Sequence, residues 1–316
     1  VVIADTGTTG NRVEGNRIGF DLKGESARPL SGHGIALWSS ASGNTIGGPT
    51  VLHGNTIGNV SYDGILLYTP GNLVQQNLIG VSPSGVEAPI RQSGIGVGEA
   101  CNDNRIVQNV IVRADAGIYI WRALRTQVTG CIIGFRQNGI TPGSITLQGI
   151  NVVDQSNDTV IGGAAAGLGN RIGNAKTGVA VWNSSGVQVH GNLIGLAANG
   201  AKAAIIEDGI GIYDRTKDAR VGSSGLGSNL ITNTKIGIAV WGDDTRGNWF
   251  RFNRIFNNTE LGINLLRNDI SGGVTLNDTL DGDFGPNDLQ NYPDIQAVTG
   301  AGTLCTVRGV LSSSPN

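Results

Sequence analysis

Six aromatic residues recur at one place in a repeating sequence. Trp38, Tyr68, Trp121, Trp182, Tyr213 and Trp241 each stand four residues after a glycine that opens a short apolar run, as in GIGIY at 209–213. Side chains alternate along a strand. With the second and fourth residues of the run facing inward, the fifth faces outward. The other fifth positions are Gly98, Val153 and Leu266. The third position also faces outward and is mostly small: Ala36, Gly96, Ala180, Gly211 and Ala239. Rings beside a shallow floor suit stacking against the apolar faces of sugars. The competing reading is a turn at this corner, with the rings packed beneath long loops as a satellite core.

The sixth position is polar: Ser39, Thr69, Glu99, Arg122, Asp154, Asn183, Asp214, Gly242 and Arg267. Glycoside hydrolysis needs two carboxylates, one to protonate the leaving group and one as base or nucleophile. Asp154 and Asp214 lie two repeats apart, roughly 10 Å at strand spacing, at the edge of the range for an inverting pair. Arg122, next in the column to Asp154, could neutralise a uronate carboxylate. The same column also reads as a ladder, Glu99, Arg122, Asp154, that avoids stacking like charges. Asp63 and Asp208, just before the glycine, read as turn residues. His33, His53 and His190 fall at different corners and make no metal triad. Near the C-terminus, Asp281, Asp283, Asn287 and Asp288 in DGDFGPND alternate oxygen ligands around glycine, as a calcium loop does. Asx turns account for the same residues. GIGVGEA (94–100) has spaced glycines but no helix after it, so it is no phosphate cradle.

Composition narrows the partners. Charged residues are 15% of the 316 and the net charge is −2, with no basic patch for nucleic acid. No run of 18 apolar residues offers a membrane span. The three cysteines, at 101, 131 and 305, form neither a disulfide framework nor a zinc motif. There is no methionine and no visible signal peptide, and the chain opens inside a pattern, as a processed or excised piece would.

These residues sit on three short strands, a, b and c, read nine times. Strand a is NRV (11–13), NTI (44–46), NLV (72–74), NRI (104–106), TQV (126–128), DTV (158–160), VQV (187–189), ARV (219–221) and NWF (248–250). Strand b opens with Asn in eight coils of nine, the exception being Cys131, and strand c opens with Gly in all nine. The expected fold is all-β: a parallel solenoid, the β-helix, of about nine three-stranded coils, near 43 Å long at strand spacing. Like residues then stack, so Asn can bond Asn from coil to coil. Glycine at strand c answers either a positive φ or a close backbone approach. Coils one, three, five and seven carry long b–c insertions, which could line up as a comb-like wall beside strand c or remain solvent loops. The expected division is 1–267 for the solenoid. Residues 268–316 form an Asp/Asn-rich junction followed by capping strands or the start of a further β module.

The two-coil pattern, with GNLIG followed by GIGIY and NRIG preceded by IGG-AAAGLG, resembles the right-handed parallel β-helix repeats of large secreted bacterial proteins. These belong to the broad carbohydrate-binding and sugar-hydrolase β-helix group. DFGPNDLQNYPDI (283–295) resembles the junction such proteins place before a β-sandwich module. The resemblance implies a secreted or cell-surface setting, a polysaccharide or surface glycan as partner, and further modules of the same parent chain. The expected function is binding of a polysaccharide along the strand c face, with cleavage by hydrolysis or elimination as its extension. The alternative is a non-catalytic structural or adhesive segment of a bacterial surface protein. Calcium is the one cofactor the pattern suggests.

Overall fold

The computed structural model describes residues 1–23, 26–266, 273–279, 281–302 and 304–313. Arg267, residues 268–272 and residue 280 of the Asp/Asn-rich stretch lie outside them. The coils form three parallel sheets, of ten c strands, nine a strands and nine b strands, each strand pairing with its counterpart in the coils before and after. The chain is a right-handed parallel β-helix. Among the described residues no helix is long and apolar enough to cross a membrane.

The tenth c strand is Val2–Ile3, which pairs with Ala36 and Leu37 ahead of coil one. Its register puts Val2 level with the third position of strand c. Coil six corrects a register. Val160 pairs with Gln127 and Ile161 with Val128, so Ile161, fully buried, is the inward residue where DTV (158–160) suggests Val160. A one-residue slip exchanges the faces of a strand.

The core consists of aliphatic stacks. Ile35, Ile65, Ile95 and Ile118 continue through Ile210 and Ile238 along strand c, and Ile57, Ile79, Ile111 and Ile133 through Ile194 and Ile231 along strand b, all without solvent exposure. The glycine that opens strand c serves close approach. At Gly178 a Cβ would lie 2.8 Å from Ile194 Cγ2 and 2.4 Å from Gly209 O, with no positive φ at this site. Position one therefore faces the core beside the inward position two. The alternation slips by one at the glycine, and the residue before it faces outward.

Two asparagine columns hold the corners. The strand b column bonds amide to amide, as in Asn55 Nδ2 to Asn77 Oδ1 (2.9 Å) and Asn77 Nδ2 to Asn109 Oδ1 (2.9 Å). The second opens strand a, where Asn11, Asn44, Asn72 and Asn104 repeat the motif. At the C-terminal end Asn287 extends that second column: Asn248 N–H donates to Asn287 Oδ1, and Asn287 Nδ2 donates to Asn248 O, both at 2.9 Å. Buried Leu289 closes over the last coil. The strands Asp294–Ala301 and Leu304–Val310 then pair antiparallel as an exposed hairpin.

Candidate functional site

The fifth residue ends strand c, just before the chain bends. The sixth is the bend itself, with φ of 50° at Arg122 and Asp154, 44° at Asn183 and 38° at Asp214. Asn and Asp tolerate this left-handed region better than most residues, so the polar column has a backbone cause.

The rings point outward but do not form one continuous row. At the C-terminal end Trp182 packs on Tyr213 at 4.3 Å between ring centroids and on Trp241 at 6.4 Å. Tyr213 lies back across Gly211, where a Cβ would be 1.9 Å from Cζ, and its hydroxyl donates to Asp208 Oδ2 at 2.5 Å. Burial, reinforced by Asp208, holds the Tyr213 phenol well above its ordinary value, and burial also raises Asp208. Ala180, Ile236 and Ala239 complete this cluster. Within it the rings shield one another.

The N-terminal rings frame a cleft of about 410 Å³. Trp38 and Tyr68 stack at 4.9 Å and 17°, forming one platform. Tyr68 leans over Gly98, where a Cβ would fall 2.8 Å from its ring. Tyr119 and Trp121 make the far wall, and Tyr62 closes the near end against His33 at 5.2 Å. Asp63 sits at the floor, 7% exposed. Its Oδ1 accepts the Ser93 N–H at 3.0 Å and its Oδ2 lies 3.3 Å from His33 Nδ1. The same nitrogen lies 3.2 Å from the Asp63 backbone N. Burial pushes the Asp63 carboxyl up, opposed by the Ser93 bond and by His33. The Tyr119 phenol is raised by burial and then by the Asp154 charge.

The cleft thus uses residues that the sequence reading set aside. Strict alternation counted back from position two sends Asp63 to the core, and the slip at Gly64 turns it outward. The available signal was the column His33, Asp63, Ser93, three polar residues at one place in successive coils. Tyr119 is the one aromatic at position three.

The proposed acids stand apart from the cleft floor. Asp154 Oδ2 accepts the Trp121 indole N–H at 3.2 Å. Asp214 lies 3.8 Å from Arg215 Nε. Asn183 stands between the two in the column, donating its N–H to Asp214 O at 2.9 Å. Arg122 bonds Glu99 Oε1 at 3.3 Å and lies 5.1 Å from the centre of the Trp121 ring.

The four tail residues have partners of their own. Asp281 accepts from Asn291 N–H and the Ser313 hydroxyl, Asp288 pairs with Arg246 at 3.5 Å, and Asn287 belongs to the ladder. Asp283 has contacts of its own. Among the described residues no three His, Cys, Asp or Glu side chains gather as a metal site. The insertions of alternate coils do touch: Ala198 N–H donates to Gly139 O at 2.8 Å, and Arg136 reaches Glu87 at 3.6 Å. They line up beside the start of strand c, opposite the rings.

No protein-family model and no curated protein matches the chain. Among solved structures it is similar to PfbA, a surface adhesin of Streptococcus pneumoniae (12% identity, TM-score 0.49, all of this chain and 90% of that one). It is also similar to the A-module of the Azotobacter vinelandii mannuronan C-5 epimerase AlgE6 (16% identity, TM-score 0.43, 84% of this chain and 72% of that one). A third likeness is to the periplasmic alginate epimerase AlgG (16% identity, TM-score 0.43, 75% of this chain). The match spans about half of AlgG, 48% of its length.

Proposed function

We propose that the strand c face binds a polysaccharide, with the cleft of coils one to four as its main contact. One observation carries this reading: the Trp38–Tyr68 platform lies open beside a glycine floor and faces Tyr62, Tyr119 and Trp121 across the cleft. Stacked rings at a concave surface match the apolar faces of pyranoses, and the phenols and Asp63 match their hydroxyls. A secreted or cell-surface setting suits such a face. Trp182, Tyr213 and Trp241 extend it C-terminally as a second, more enclosed patch.

Affinity electrophoresis against a panel of polysaccharides tests the reading. Retardation that Trp38→Ala and Tyr68→Ala each reduce by about tenfold, roughly 1.4 kcal/mol, supports it. Retardation unchanged in both variants, or absent across the panel, refutes it. Asp154 and Asp214 are the acids to test for cleavage. Reducing ends released by the native chain and lost in Asp154→Asn and Asp214→Asn would extend binding to hydrolysis.

The second reading is a rigid adhesive or structural segment. It is favoured by the self-packed C-terminal rings and by ladders that serve stiffness alone.

A further inference from the structure

Resting on the binding reading above, we infer that the cleft selects neutral sugars and excludes uronates. Among the described residues Asp63 is the one carboxylate that lines it, and no Lys or Arg side chain does. Asp63 Oδ1 takes one hydrogen bond from Ser93 N–H and Oδ2 faces His33, which leaves each oxygen a lone pair for a ligand hydroxyl. His33, the single group there that can become cationic, is held against Asp63, so its positive charge, when present, is already opposed. The nearest guanidinium in the polar column, Arg122, bonds Glu99 at 3.3 Å and stacks on Trp121.

A uronate carboxylate entering this space would lose water, meet no cation and face a like charge. A neutral pyranose brings hydroxyl donors instead. On this reading Arg122 does not serve a uronate.

The test is affinity electrophoresis of the whole chain at neutral pH in two sets of gels. One set holds neutral polymers (β-glucan, galactan, mannan and xylan), the other alginate and polygalacturonate. Binding to at least one neutral polymer with affinity tenfold or more above either polyuronate is expected. Asp63→Asn, isosteric and still able to accept from Ser93, should raise the ratio of polyuronate to neutral affinity several-fold. Polyuronate binding as tight as neutral binding, and weakened by Arg122→Ala, overturns the inference and leaves the binding face standing. An unchanged ratio in a folded Asp63→Asn variant overturns the role given to Asp63. If that variant does not fold, the native panel decides. Retardation by neither set overturns the binding reading and this inference with it.

Discussion

Replacing Asn192 by Leu should break the strand b column where it is best connected. Asn192 is 1% exposed. Its Oδ1 accepts from Asn170 N–H at 3.0 Å and Asn170 Nδ2 at 2.9 Å. Its Nδ2 donates to Ile161 O, His190 O and Asn229 Oδ1 at 3.0–3.2 Å. Several partners have a second bond. Asn170 Nδ2 keeps Val128 O, His190 O keeps Gly163 N–H, and Asn229 Oδ1 keeps the Asn192 N–H. Ile161 O sits in the ladder opposite Val189, so the Asn170 N–H is the group left without an acceptor. At about 1–3 kcal/mol for a stranded buried group, the loss is about 1–3 kcal/mol. Leu has as many side-chain heavy atoms as Asn and the same branching, so no cavity contributes to this loss. Crowding adds to it, because a Cβ at Gly162 would already lie 2.6 Å from Asn192 Oδ1. Urea unfolding followed by circular dichroism gives the change in midpoint at constant slope. A loss under about 1 kcal/mol would refute the reasoning, since it would mean that water replaces these amides. The converse substitution is available in the same column. Cys131 presents sulfur to Asn109, a weaker acceptor than an amide oxygen. Cys131→Asn should stabilise by about 1 kcal/mol, and a lower midpoint would count against the ladder account.

Gly211→Ala should displace the Tyr213 ring, since the added methyl would meet it at 1.9 Å. The expected loss is about 2–4 kcal/mol with the Asp208 bond broken, and an unchanged melting temperature would show that the ring has other room. Asp208→Asn probes the raised carboxyl. A folded pKa above the unfolded value stabilises at low pH and loses that contribution as pH rises through the folded pKa. The Asn variant should therefore melt higher than the native chain near neutral pH and lose the advantage below about pH 4; a difference constant from acid to neutral would refute the assignment. Trp182→Ala should lower stability by about 1–3 kcal/mol because the ring packs on Tyr213 and Trp241. Trp38→Ala, at the edge of the open cleft, should leave stability within about 1 kcal/mol of native. Equal effects on stability would show that both rings are core.

The solenoid was legible because each coil reports the same environments. Nine glycines at one position, eight asparagines at another and apolar residues one and three places after the glycine are independent samples of one geometry. Ile210 and Ile212 were placed inward from that pattern, and both are fully buried. The pattern misleads where one coil deviates. Coil six carries its strand one residue later than DTV suggests.

The site was harder to read. The sequence by itself determined the coil, the columns and the outward rings, because stacking at fixed strand spacing makes periodicity a sufficient signal. It could not determine which outward residues meet. Rings in one column pack together or stay apart according to their neighbours. Gly211 lets Tyr213 fold flat between Trp182 and Asp208, while Gly98 lets Tyr68 lean beside a cleft. The slip at Gly64 brings Asp63, read as a turn residue, to the cleft floor beside His33 from the coil before. Only the tertiary structure decided these matters, because they depend on side-chain direction after a local break in alternation, and on contacts between coils some 30 residues apart.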